Sequence, residues 1–453
     1  MRSRLVFASV LVAAVLFIPA AAGALPSIPS SVFEPSAGCG CHAAFLDQWR
    51  PSMHAQALTD PLYLLKLKEA EEATDGALGP FCNACHGPIA VMAGELSSLD
   101  QSAVSPAGME GVSCSFCHAV TGTTEPIGNT SAIVADDGIR RAGIQDPQAP
   151  HPAEYSEFHK TAEFCGTCHN VNHPGNNMHL EATYTEWKEG PYAAEGIVCQ
   201  DCHMTPGPGV TKPNPGKVAA MGPEREHIYM MTFAGANAGL GYADLAEERL
   251  QAAATLDLQV PEIVESGDVA LQTTITNVGA GHYLPTGLTE VRQMWLEVIA
   301  TDASGSELLS ERRDFVSVLK DADGNSPVDL WDAADFESDD RIPPRESTSN
   351  EYSFAMADGP VTVTAALYYR SCSEEMAAKA GVEIPTTTMA TVTQTVYASA
   401  AQQAEGPVVT EEPDGESEGG DDADTPSLLY GLIALGVAAM AGAAFLMMRR
   451  GRK

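Results

Sequence analysis

Apolar positions fall into distinct regimes along the chain. From Leu5 to Ala22 they run almost unbroken behind Arg2 and Arg4, with the small residues Gly23 and Ala24 next. A basic start, an apolar run and a small-residue end predict a secretory signal peptide over residues 1–24. Beyond residue 250 the pattern alternates. Leu256–Val260, Val269–Thr276, Met294–Thr301, Glu351–Ala355, Val361–Tyr369 and Thr391–Ala398 are rich in Val, Thr and aromatic residues and are separated by Gly, Asp and Pro. They predict six or seven short strands and an all-β immunoglobulin-like sandwich over residues 250–402. The polar stretch 321–349 reads as a long loop. Residues 403–426 are acidic and Gly-rich and read as a disordered linker. Leu428–Met448 is apolar throughout, and about 20 such residues can span a bilayer. The predicted span, residues 427–448, meets a basic tail, 449–453, which places the C-terminus in the cytoplasm. The expectation is an exported, single-pass protein with its bulk on the extracytoplasmic side.

The chain has 60 acidic and 25 basic residues, a formal charge of -35. That excludes nucleic acid and anionic membrane surfaces as partners. A well-solvated or halotolerant surface explains the acidity, and so does a docking face for a basic redox partner.

An exported chain with 11 Cys would ordinarily use them in disulfides. The spacing says otherwise. Cys82/Cys85/His86, Cys114/Cys117/His118, Cys165/Cys168/His169 and Cys199/Cys202/His203 each read Cys-x-x-Cys-His, and Cys39-Gly40-Cys41-His42 is one residue short. This is the attachment signature of c-type haem. Two thiols anchor one haem, and the adjacent His supplies an axial nitrogen. Zinc would need two pairs per metal and would not require a His after each pair. The expectation is five covalently bound haem c, the one at Cys39/Cys41 being the least regular. Cys372 is left as an unpaired thiol. Five haems across residues 39–203 are too dense for an ordinary apolar core. The region 25–245 is therefore expected to be an α-rich, irregular cytochrome domain whose cofactors form much of the interior.

Seven His remain to fill second axial positions: His54, His151, His159, His173, His179, His227 and His282. Bis-His irons suit outer-sphere electron transfer, whereas a catalytic haem needs an open position.

Residues 39–54, Cys-Gly-Cys-His-Ala-Ala-Phe-Leu-Asp-Gln-Trp-Arg-Pro-Ser-Met-His, resemble the opening of the multihaem cytochrome c family. That family includes the tetrahaem cytochrome that works beside hydroxylamine oxidoreductase. The resemblance covers roughly residues 36–300 and departs at Cys39-Gly40-Cys41. It implies that His54 is a distal ligand. Arg225-Glu226-His227 and the loop Asn277–Gly287 resemble further distal-ligand segments, which implies His227 and His282. His151, fourteen residues before Cys165, is placed as the family uses it. His159 and His179 compete for the fifth place, and His173 is expected at the surface.

A weak internal echo relates Trp49, five residues before His54, to Trp187, five before Tyr192. If Tyr192 replaced a ligand, one iron would lack a distal nitrogen. Chance and helix packing explain the echo as well.

These observations point to an electron carrier working between redox proteins, with no catalytic residue. The alternatives are a multihaem oxidoreductase acting on a small nitrogen or sulfur compound at one open haem, and a subunit of an extracellular cytochrome filament.

Overall fold

The computed structural model describes residues 25–405, apart from Thr289. The expected signal peptide lies outside the described residues. So do the expected span and tail, and all of the expected linker except its first residues, which end the helix Ala400–Glu405.

Up to residue 203, the helices run four to eight residues, apart from Pro61–Thr74 with 14. The long one has strong punctuation. The Asp60 carboxylate accepts from the Leu62 N–H at 2.9 Å and Pro61 opens the first turn, while Asp75 ends the helix in the left-handed region. This is the usual way of satisfying orphan groups at helix ends. Between these helices lie small two-stranded ladders. Val120–Thr123 pairs with Ala132–Val134, Arg140–Ala142 with Ala153–Tyr155, and Val171–Asn172 with His179–Glu181. Apolar clusters here are small, the largest gathering Ile28, Phe33, Ile89, Met92 and Phe116 with a few neighbours.

The strands after residue 253 form two antiparallel sheets. One has the order Ser347–Ala355, Asp268–Asn277, Ala254–Gln259. The other has the order Glu307–Asp314, Gln293–Thr301, Val361–Arg370, Thr387–Val396. Burial alternates strictly along Ala254–Gln259 and nearly so along Asp268–Asn277. One face of each sheet therefore enters a shared core of Leu258, Val269, Ile275, Met294, Leu296, Phe315, Val363 and Leu367. Outward Thr and Ser pair across strands, as in Thr274 with Ser349 at 2.9 Å and Thr276 with Ser347 at 2.8 Å.

The expected fold class is corrected on these facts. The described residues form a mixed helix-and-sheet fold with separate small sheets on both sides of residue 250. No helix among them is long and apolar enough to cross a membrane, so the single C-terminal transmembrane helix has no support. The small ladders escaped the sequence reading because two to four residues are too few to display a period of two. Glu307–Asp314 escaped because it is an edge strand carrying five charged side chains, a composition that protects open sheet edges. The stretch read as a loop, 321–349, contains Asp335–Asp339, which pairs with Ser317–Lys320.

Contacts link the Cys-rich region to the large sheets. Arg249 donates to the carbonyls of Cys202 and Thr205 at 3.2 and 3.1 Å. Leu62, Cys372 and Ala377 share an apolar cluster, so Cys372 is a packing residue.

Glu290 is the anomaly of this packing. Its Oε1 is buried with no hydrogen-bond partner, and burial pushes the carboxyl up to about 7. A folded pKa above the ordinary value means stability that is complete at about pH 4 and lost as pH rises through 7. Glu290→Gln should leave the thermal midpoint unchanged near pH 4 and raise it at pH 8. The shift corresponds to at most about 3 kcal/mol, and thermal denaturation at the two pH values checks it.

Candidate haem centres

The short helices place the thiols. In Cys114–Ala119, capped by the Ser113 hydroxyl, Cys114 and Cys117 are one turn apart and His118 follows on the next position. Residues three apart share a helix face, so both sulfurs can address one ligand. In the last two regular motifs the His N–H reaches back to the first Cys: His169 to Cys165 at 2.9 Å and His203 to Cys199 at 3.0 Å. The short motif reaches the same end differently. Gly40–His42 is a 3-10 turn, and the His42 N–H bonds to the Cys39 carbonyl at 2.8 Å. A 3-10 turn closes over one residue fewer than an α-turn. The missing residue is thereby absorbed, and His42 keeps its relation to Cys39. No two of the eleven Cys are joined in a disulfide.

All five motif His share one hydrogen-bonding arrangement. Nδ1 of His42 faces the Val218 carbonyl at 2.6 Å, and that of His86 faces Ala57 at 2.9 Å. His118 faces Arg141 at 2.6 Å and His203 faces Ala234 at 2.8 Å. His169 instead faces a carboxylate, Glu181 Oε1, at 3.1 Å. Since these oxygens only accept, each Nδ1 carries the proton and each Nε2 keeps its lone pair. Metal-binding imidazoles are oriented in this way.

Four of the five then face a second His ring across a set distance. His42 and His151 have ring centroids 6.4 Å apart, His54 and His169 6.1 Å, His118 and His159 6.0 Å, and His203 and His282 6.2 Å. Rings in direct contact sit much closer, as Tyr63 and His86 do at 3.7 Å. A metal–imidazole bond is about 2 Å, so two imidazoles bonded to one metal from opposite sides have centroids roughly 6 Å apart. His159 adds a second sign. Its Nε2 is held by the Cys117 carbonyl at 3.0 Å, while its Nδ1 is buried without a partner. The residues thus fit haem, with His159 presenting Nδ1. Among the described residues no group of three or more Cys, His, Asp or Glu converges as a bare-ion site would require.

Burial favours the neutral imidazole at five of these His, as ligation demands. It lowers His54 to about 3 and His159 and His203 to about 4, and it lowers His86 and His118 as well. His169 departs from this rule. Burial pushes it down, but the hydrogen bond and charge of Glu181 lift it to about 9.

Of the sequence-expected distal residues, His54, His151, His159 and His282 each face a motif His. His227 does not. It packs edge-on against Tyr229 and accepts at Nδ1 from the Asn214 N–H. His179 is exposed on its strand, and His173 Nε2 meets the Trp331 carbonyl. His86 faces no His among the described ring pairs. Its neighbour is Tyr63, whose hydroxyl donates to Asn83 at 2.7 Å. Tyr192 replaces no ligand, because its hydroxyl donates to the Val278 carbonyl and Arg345 covers its ring. The echo nonetheless has structural content. Trp49 donates to the Val112 carbonyl and Trp187 to that of Ile197, each two residues before a motif's first Cys.

Supporting residues the sequence did not single out hold His54 and His282. The His54 carbonyl accepts from Val112 N–H at 2.9 Å, and Gly111, at φ +62°, passes so close that a Cβ would lie 2.6 Å from that oxygen. Fully buried Asn277 donates to the His282 carbonyl at 2.9 Å. Glu186 accepts from Tyr283 N–H at 3.1 Å and Thr286 Oγ1 at 2.6 Å and pairs with Arg341 at 2.5 Å. Both partners of that pair are almost wholly buried. None of these polar residues lies in a Cys-x-x-Cys-His run, so spacing offered no signal for them.

Residues 38–119 match the family described as cytochrome c554 and c-prime. The structure is similar to that of a penta-heme cytochrome c552 from Thermochromatium tepidum. That likeness has 21% identity and a TM-score of 0.58, and covers 82% of this chain and 99% of that one. A putative beta-galactosidase from Bacteroides fragilis matches over 31% of this chain and 15% of its own, at 11% identity and a TM-score of 0.17. That likeness carries no weight. No curated protein matches. The family match and the shared fold support a multihaem c-type cytochrome with covalently bound haem c and redox partners.

His282→Ala should convert one low-spin ferric signal to high-spin in EPR of the haem-loaded protein. His227→Ala should leave every signal in place.

Proposed function

We propose that the protein is an exported electron carrier with five haem c groups, four of them bis-His ligated. When bound, each haem supplies one-electron chemistry through its ferric and ferrous states. The chain's part is to hold each group by two sulfurs and to fix its axial nitrogens. The observation that carries the reading is the set of four His–His ring pairs at 6.0–6.4 Å. Two fixed nitrogens on each of those four irons keep the ligand set constant during oxidation and reduction and leave no position for substrate there.

The thiols supply the order of contact. Cys39 lies in hydrogen-bonding reach of Cys114, Cys165 of Cys199, and Cys85 of Cys168. Anchors of the first and third motifs are therefore neighbours, and the fourth motif touches both the second and the fifth. Residues 25–245 carry the centres, and residues 250–402 contribute His282 and the loop that holds it. The acidic surface suits basic redox partners.

One observation favours a second reading. His86 faces Tyr63 on one side and no second His, so its iron would keep an open position. An oxidoreductase acting there on a small nitrogen or sulfur compound needs that opening.

Carbon monoxide added to the fully reduced, haem-loaded protein separates the two readings. A carrier whose irons are all closed shows no change in the Soret band. An open iron at His86 shows a change equivalent to one haem in five, abolished by loss of the second motif in Cys82→Ala/Cys85→Ala.

A further inference from the structure

Glu181 breaks the pattern of the motif histidines. Four of them donate Nδ1–H to neutral backbone carbonyls, while His169 donates to the Glu181 carboxylate at 3.1 Å. The contact is built by local structure. The strand His179–Glu181 folds back on Val171–Asn172, and the register Val171↔Glu181 brings the carboxylate beside the end of the fourth motif. The Glu181 side chain is only 17% exposed, so its charge acts through a medium far less screening than water. Arg292 is the cation close enough to oppose it.

A charged acceptor draws the Nδ1 proton more strongly than a carbonyl does. The ring becomes more electron-rich, Nε2 becomes a better donor, and the ferric state gains relative to the ferrous state. Place matters as much as chemistry. Cys168 touches Cys85 and Cys165 touches Cys199, and the ring partner of His169, His54, has the imidazoles of His203 and His86 as neighbours. The His169 centre is the junction of the array.

We propose that Glu181 is a positioning residue that lowers the reduction potential of the junction iron held by His169 and His54. Electrons then cross the junction against a step that the carbonyl-bonded centres lack, and the step sets how the branches share charge. This rests on the electron-carrier reading above.

The test is a spectroelectrochemical titration of the haem-loaded wild type, Glu181→Gln and Glu181→Asp, with haem counted by pyridine haemochrome and spin states by EPR. Glu181→Gln keeps an acceptor oxygen and removes the charge. The expected result is one component of the titration moving to higher potential with four unmoved, and an unchanged count of low-spin haems. Glu181→Asp should bring that component back toward the wild-type value. A Gln variant with full haem content and an unmoved titration overturns the proposal. So does a uniform shift of all components, which would be a general charge effect. If Glu181→Gln loses haem, Arg292→Gln takes its place. Removing the opposing cation should move the same component lower, and an unmoved component again overturns the proposal. Wild-type protein without covalent haem would instead overturn the carrier reading.

Discussion

The proposed ligation of one iron by two imidazole nitrogens from opposite sides sets the constraint that this fold would have to satisfy. It fixes a ring separation of roughly 6 Å, a proton on the far nitrogen of each ring and a neutral charge state. The chain meets the first at four ring pairs and the second at all five motif His, while the third fails at His169, which Glu181 lifts to about 9. Backbone carbonyls from Val218, Ala57, Arg141 and Ala234 take the far proton, and burial suppresses protonation. These carbonyls come from segments up to 176 residues distant, so the tertiary fold itself orients the ligands.

The large sheets follow from the same requirement. His282 sits on a loop between strands, and that loop sets where its ring faces His203. Asn277, the buried Glu186–Arg341 pair and Thr286 stiffen it. A buried ion pair is weak evidence of net stability, since desolvation offsets most of its attraction. Here its value is geometric: Glu186, on the helix Thr183–Glu189, holds the His282 loop through Tyr283 and Thr286, and Arg341 covers the Tyr283 ring.

The attachment sites were plain in the sequence because covalent chemistry demands adjacent residues. Cys-x-x-Cys-His is a local pattern, and local patterns survive in one dimension. The distal residues were only partly legible. His54, His151, His159 and His282 are separated from their partner His by 41 to 115 residues of chain in the ring pairs that join them, and no periodicity encodes such pairings. His227 looked equally suitable, but it pairs with no motif His: Asn214 donates to its Nδ1 and Tyr229 packs edge-on, while its Nε2 is buried without a partner. The six strands with clean alternation were legible because one face of each enters a core. The charged edge strand Glu307–Asp314 and the short ladders were not, because neither buries enough to leave an apolar signal. Glu181 was invisible for the same reason as the distal His. Its importance lies in a contact across a hairpin.

Anomalous diffraction at the iron edge from crystals of the haem-loaded protein would locate each iron against these ring pairs. Iron is expected midway between the rings of His42 and His151, His54 and His169, His118 and His159, and His203 and His282, with a fifth iron on His86. Iron bound to His227 or His179, or ring pairs without iron between them, would contradict it.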